Sequence, residues 1–148
     1  MIAARARFLV TAFWVGSLWT VGYLVAPTLF ATLGDRVLAG TVAGNIFRVE
    51  AWVSVGCGLA LLLLSRLDKL EAGAVRRPLV GLIVAMLVCT LLGYFGIEPF
   101  MAALREGAGP GGVMQSAVRT RFGILHGLSS AFYLAESLFG VLLLLRTR

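Results

Sequence analysis

The feature that most constrains this chain is a series of long stretches without charged side chains. Residues 8–34 are 27 consecutive uncharged positions, and a helix needs only about 20 apolar residues to cross roughly 30 Å of hydrocarbon. Further uncharged stretches cover 51–65 and 78–97, and 122–145 contains Glu136 as its one acid and His126 as its one imidazole. We therefore expect helices that cross a membrane.

The composition excludes a water-soluble globular domain. Hydrophobic residues make up 59% of the chain and charged residues 14%, whereas soluble domains carry about 25% charged residues. The net charge is +6, but the basic residues form short clusters between the apolar stretches, without a basic helix face for nucleic acid. The lipid bilayer is therefore the predicted partner, with anionic headgroups near the basic clusters.

The stretches predict an all-α integral membrane four-helix bundle, with spans at about 8–32, 47–65, 78–97 and 118–145. The run 51–65 is only 15 residues long, which is about 22 Å of helix, so the second span is extended upstream to Phe47. A cleaved signal peptide fits the first stretch poorly because its apolar part is too long. Residues 98–115, which contain four glycines and Pro110, predict a flexible outer loop.

The distribution of Lys and Arg predicts the orientation. An even number of spans places both termini on one side, and that side carries eight basic residues against five on the other. Four of the eight lie between Arg66 and Arg77. Because cytoplasmic loops carry the basic excess, we predict a multi-pass protein of the inner membrane with both termini in the cytoplasm.

Small residues predict how the helices associate. Gly81, Ala85, Cys89, Gly93 and Gly96 follow one another at helical spacing on the third span, and such stripes let helices pack closely in lipid. The stripe fits a neighbouring span or a partner subunit equally well. A four-span bundle is narrow, so transport would require a homo-oligomer.

An intramembrane ionisable residue is a functional hypothesis by default, because burying a charge in lipid is costly. His126, Ser130 and Tyr133 share one face of the last span, which we expect to turn towards the bundle interior. They predict a polar pocket in the outer half that handles a cation or a proton. Its predicted residues are His126, Glu50, Glu98, Tyr23, Tyr133, Ser130, Arg48 and Arg121. A structural histidine bonded to a carbonyl or to Glu50 is the alternative.

Glu136 is a separate buried acid. It lies ten residues beyond His126, about 15 Å deeper along the helix, so the two side chains cannot share one ligand. A neutral acid paired with a hydroxyl such as Ser17 or Ser54 and a proton-relay residue are both open.

Three classes of function remain open. The first is the cation or proton site, and the second is a membrane redox protein that holds haem or copper. His126, Cys57 and Cys89 are weak candidate metal ligands, since thiols bind Cu(I), although free cysteine is also an ordinary buried residue. The third is a non-catalytic assembly protein that binds another membrane protein. The chain has no nucleophile elbow, HExxH or CxxC motif, which favours a protein that is not an enzyme and holds no cofactor, with haem or copper as the alternative.

Two segments carry a family resemblance. The run Trp14–Phe30, followed by Asp35-Arg36, Ala39-Gly40 and Ala43-Gly44, together with Leu125-His126-Gly127-x-Ser129, resembles the transmembrane protein 205-like proteins, whose bacterial members carry a domain of unknown function numbered 4149. The resemblance implies a small four-span membrane protein of unassigned activity, with a eukaryotic relative associated with platinum-drug resistance. Many members have an amide residue about two turns after the histidine, where this chain has Tyr133.

Overall fold

The computed structural model describes residues 2–67, 73–109 and 111–147. Its helices are α1 (Ile2–Trp19), α2 (Ala26–Thr32), α3 (Arg36–Leu67), α4 (Gly73–Thr90), α5 (Glu98–Glu106) and α6 (Arg119–Arg146). Two π-helical segments, Thr20–Val25 and Leu91–Gly96, join α1 to α2 and lead from α4 towards α5, and a 3₁₀ turn covers Val113–Gln115. Residues 68–72, which lie within the basic segment 66–77, and Pro110 of the predicted loop lie outside the described residues.

These elements make four helices that are long and apolar enough to cross a membrane, which confirms the predicted all-α membrane bundle. We call them span 1 (Ala3–Thr32), span 2 (Arg36–Leu67), span 3 (Arg76–Glu106) and span 4 (Arg119–Arg146). Spans 1, 2, 3 and 4 form a ring in which each packs mainly against two neighbours. The apolar core lies in the half of the bundle nearer the termini and contains Trp14, Leu61, Leu79, Ile83, Met86 and Leu143.

The helix of span 2 is longer than the predicted span. It begins at Arg36, eleven residues before Phe47, because small residues such as Ala39 and Ala43 continue the helix and are buried. Asp35 caps its start, since its Oδ1 accepts the backbone N–H groups of Val37 (2.8 Å) and Leu38 (3.1 Å). Glu50 consequently lies near the middle of a 32-residue helix.

The segment 98–115 is also more regular than its glycines predict. Its first half is α5, which begins at Glu98 with Pro99 in the first turn and has Arg105 in the last turn. Proline fits a first helical turn, and an acid at the start and a base at the end complement the helix dipole. Gly109 and Gly112, both with positive φ, confine the irregular backbone to the second half.

Each π-helical segment precedes a proline. Pro27 lies two residues after Thr20–Val25, and Pro99 lies three residues after Leu91–Gly96. In an α-helix the carbonyls of Tyr23 and Phe95 would accept hydrogen bonds from the amides of residues 27 and 99. Both of these residues are prolines, which have no amide N–H, so these two hydrogen bonds cannot form. A wider helical turn redistributes the remaining hydrogen bonds, and both wide turns lie in the half of the bundle away from the termini.

Candidate functional site

A layer of polar side chains crosses the interior of the bundle at the middle of all four spans. Each of its members lies within four residues of the midpoint of its span. We call this set the central polar layer. It consists of Trp14, Ser17, Glu50, Ser54, Thr90, Tyr133 and Glu136.

Glu136 is the more enclosed of the two acids in this layer. Its side chain is buried, at 3% exposed. Oε1 accepts a 2.8 Å hydrogen bond from Thr90 Oγ1 on span 3, and the Ser54 hydroxyl on span 2 also hydrogen-bonds the carboxyl. Ser54 in turn accepts the indole N–H of Trp14 at 2.8 Å. Glu136 on span 4 therefore connects to all three other spans.

Glu50 is held by fewer contacts. It is 5% exposed, and its Oε1 accepts a 3.1 Å hydrogen bond from Ser17 Oγ on span 1. The same hydroxyl lies 2.9 Å from the carbonyl of Trp14, so its single proton is shared between two acceptors. Glu50 also lines a groove of about 370 Å³ between spans 1 and 2, which opens to the outside of the bundle.

The two acids are close enough to interact electrostatically. Glu50 interacts electrostatically with three titratable groups, which are Cys57 on the same helix and Tyr133 and Glu136 on span 4. Among the described residues, no basic side chain contributes to the electrostatics of Glu50. Two ionised carboxylates would repel each other here, so this arrangement favours at most one negative charge in the layer.

Tyr133 lies between the two acids and enters the backbone of span 1. Its hydroxyl donates to the carbonyl of Leu18 at 2.6 Å and accepts the amide of Gly22. These two backbone groups would pair with each other in an undisturbed α-helix, so the phenol is inserted into that hydrogen bond. Gly22 makes this possible, because a Cβ there would overlap the Tyr133 ring.

The rings around Tyr133 tie three spans together. Tyr23 of span 1 lies edge-on at 6.2 Å and Phe47 of span 2 edge-on at 5.4 Å. Tyr23 is half-exposed, and its hydroxyl donates to Ser137 Oγ on span 4 at 2.9 Å. The structure therefore brings three of the predicted pocket residues, Tyr23, Tyr133 and Glu50, into one region.

Span 4 also contacts the second π-helical segment. Ser129 Oγ donates to the carbonyl of Gly93 at 3.0 Å, and the amide of Ile97, four residues after Gly93, bonds the carbonyl of Tyr94. A Cβ on Gly93 would meet Phe132 Cβ at 3.0 Å. Ser129 and Tyr133, one turn apart on span 4, therefore contact the wide turns of two different spans.

The remaining predicted site residues lie at the loop end of the bundle. Glu98 and Arg105 form an ion pair of 2.6 Å, and the guanidinium of Arg105 lies 5.8 Å from the centroid of the Phe122 ring. The imidazole of His126 stacks on the same Phe122 ring, with 6.0 Å between the ring centroids. We call Glu98, Arg105, Phe122 and His126 the end cluster.

The structure therefore separates the predicted pocket into two places. His126 and Ser130 are exposed on the outside of the bundle, where Ser130 donates to the carbonyl of His126. The buried face of span 4 runs through Ser129, Glu136 and Gly140. Around the helix axis, His126 lies about 60° and Ser130 about 100° from Ser129. Both side chains are exposed, so the expectation that they point inward is wrong.

Arg48 and Arg121 are exposed. Arg48 acts electrostatically on Tyr94 together with Glu98 and Arg105, which places it beside the end cluster, but Glu98 takes Arg105 as its ion-pair partner. Cys57 and Cys89 are free thiols, and each is electrostatically associated with a different acid, Glu50 and Glu136 respectively. Within the described ranges, no group of three His, Cys, Asp or Glu side chains is arranged to hold a metal ion.

Comparison with known proteins gives one match. The sequence matches the family described as Domain of unknown function (DUF4149) over residues 9–109. The chain belongs to this family. The match confirms the domain-of-unknown-function part of the resemblance, but not the transmembrane protein 205-like label. No curated protein and no solved structure matches the chain.

The DUF4149 match covers Glu50, Ser54 and Thr90 but ends before span 4, so Tyr133 and Glu136 lie outside it. Sequence reasoning missed the roles of Trp14, Thr90 and Gly22. A repeated pattern could have indicated Gly22, but it includes neither Trp14 nor Thr90. Gly22-Tyr23 precedes Pro27 and Gly93-Tyr94 precedes Pro99, while an aromatic residue stands three positions before each acid, in Phe47–Glu50 and Tyr133–Glu136.

Proposed function

We propose that this DUF4149 protein resides in the bacterial cytoplasmic membrane and binds and releases a proton at Glu50. The observation that carries the proposal is the position of this carboxyl, which is buried at the middle of span 2 and yet lines a groove open to the outside of the bundle. Spans of 28 to 32 residues are longer than the roughly 20 needed to cross the hydrocarbon. We take their midpoints to lie within the hydrocarbon.

The contacts of Glu50 suit a group that changes its protonation state. Its hydrogen bond comes from Ser17, whose hydroxyl can turn between Glu50 and the carbonyl of Trp14. The carboxyl can thus gain or lose a proton while the hydroxyl keeps an acceptor. Ionised acids within a membrane are costly and mark ion or proton pathways, which supports Glu50 as the functional acid.

Infrared difference spectroscopy of the protein in lipid bilayers tests this proposal. We expect a protonated carboxyl band that decreases as the pH rises and that is absent from the same titration of Glu50→Gln. Glu106→Gln, at an exposed helix end, is the matched control and should keep the band. Identical titrations of the wild type and Glu50→Gln would overturn the proposal.

We also propose that both termini are cytoplasmic, as the distribution of Lys and Arg supports. Single cysteines at Thr147 and at Gln115, in a chain with Cys57 and Cys89 replaced by alanine, would be treated with a membrane-impermeant thiol reagent on intact cells. Gln115→Cys should react from outside and Thr147→Cys only after lysis. The reverse result would overturn the orientation.

A further inference from the structure

The groove beside Glu50 has the features of a ligand site that faces the bilayer. It is lined by Val21, Val42, Asn45, Ile46, Val49 and Glu50. Four of these side chains are branched aliphatic groups, and the polar ones are Asn45 and Glu50. Its volume of about 370 Å³ is within the range of small-molecule sites, which is roughly 300–1,000 Å³.

The charges of the site determine which ligand fits it. Glu50 is buried, and no basic side chain among the described residues compensates it. An ionised carboxylate at this depth therefore needs a positive partner from outside the chain. The apolar walls require that this partner also carry hydrophobic groups.

We propose that the groove binds a hydrophobic monocation from the bilayer, such as a protonated amine with an apolar body, with its charged group at Glu50. This inference rests on the proposed function, because the same carboxyl carries the proton when the groove holds no cation. The exchange is balanced in charge: the neutral acid releases one proton, and the resulting carboxylate pairs with one cation. Asn45, on the same helix, offers an amide oxygen to the same ligand.

Exchange of one proton for one cation predicts a defined pH dependence. While Glu50 is protonated, each rise of one pH unit should tighten binding by about tenfold, and the dependence should level off once the carboxyl is ionised. Cys57, Tyr133 and Glu136 are the other titratable groups near this carboxyl. None of the three carries a positive charge in either protonation state, so none can replace the cation.

The probe for the test is radiolabelled tetraphenylphosphonium, measured by equilibrium dialysis against the full-length protein in lipid nanodiscs at several pH values. Glu50→Gln should weaken binding by at least about tenfold and abolish its pH dependence, whereas Glu50→Asp should retain both. Val42→Phe should weaken binding by filling the groove. Glu106→Gln is the control and should match the wild type.

Equal binding to the wild type and to Glu50→Gln, each checked by its thermal transition, would overturn the inference. Equal binding to the wild type and Val42→Phe would also overturn it, since the cation would then bind elsewhere. In either case a persisting infrared titration of Glu50 would leave the proton site intact. Loss of that titration would instead overturn the proposed function, so the two failures are distinguishable.

Discussion

Glu50 and Glu136 occupy similar positions in the bundle but have different surroundings. Both lie near the middle of a span, three residues after an aromatic side chain, and both are almost fully buried. Glu136 is hydrogen-bonded by hydroxyls from two other spans. Glu50 is hydrogen-bonded by the shared hydroxyl of Ser17 and borders a groove.

The comparison shows that two equally buried acids can differ in their number of fixed donors and in their access to the outside. An acid whose oxygens are occupied by fixed donors stabilises the packing of its neighbours, as Glu136 does for Thr90 and Ser54. An acid with one shared donor and a route to the outside can exchange its partner. The number of fixed donors and the access route are therefore the properties to perturb.

The largest expected effect is the loss of stability in Glu136→Ala. Two interhelical hydrogen bonds disappear and a cavity opens at the centre of the bundle, so the free energy of unfolding should fall by about 2–3 kcal/mol. Glu50→Ala should cost less, since it removes one shared bond beside an existing groove. Reversible unfolding in mixed micelles measures both.

A matched replacement sharpens this prediction. Glu136→Gln keeps an oxygen that can accept from Thr90, and it should recover most of the lost stability. If Glu50→Ala destabilised the protein more than Glu136→Ala, the assignment of the structural role to Glu136 would be wrong.

The next largest effect is expected for Tyr133→Phe. The ring still separates Leu18 from Gly22, so the carbonyl and the amide that the hydroxyl joins would both lose their partner. We expect a loss of about 1–2 kcal/mol in the same unfolding assay. Unchanged stability would show that the hydroxyl is not inserted into the span 1 helix.

A smaller effect is expected for Ser129→Ala, which removes the interhelical hydrogen bond to the Gly93 carbonyl. Such bonds contribute about 0.6 kcal/mol on average in a membrane. Ser130→Ala is the matched control, because the hydroxyl of Ser130 bonds within its own helix and is exposed. Equal losses in the two variants would contradict a specific role of Ser129.

The smallest effect is expected for His126→Ala. The imidazole is exposed and stacks on Phe122 of its own helix. The free energy of unfolding should therefore change by less than about 0.5 kcal/mol. The infrared titration of Glu50 should also be unaffected. A change in that titration would restore His126 to the proton site and contradict its separation from the central polar layer.

The charge-free stretches sufficed to predict the number and type of the helices, because a bilayer permits few alternatives for such segments. The helix of span 2 begins eleven residues before the predicted span, because counting uncharged residues ignores the capping of a helix by Asp35. Charged residues such as Arg36 can remain helical beyond the hydrocarbon. The helix therefore extends past the predicted span.

The candidate site was harder to predict from the sequence. Helical spacing places His126 and Tyr133 on one face, but His126 lies two turns nearer the loop end, where its side chain is exposed, whereas Tyr133 packs against span 1. The insertion of Tyr133 into span 1 depends on a proline, a glycine and a phenol from two distant segments. Such a combination follows from the packing of the spans, which a single sequence does not specify.

The most direct test of the central claim compares the reactivity of the two acids. Dicyclohexylcarbodiimide enters membranes and reacts with protonated carboxyl groups, and peptide mass spectrometry identifies the labelled residues. We predict that the protein in bilayers is labelled at Glu50 through the groove, and that Glu136 is labelled much more slowly. Labelling of Glu136 at the same rate as Glu50 or faster would contradict the account.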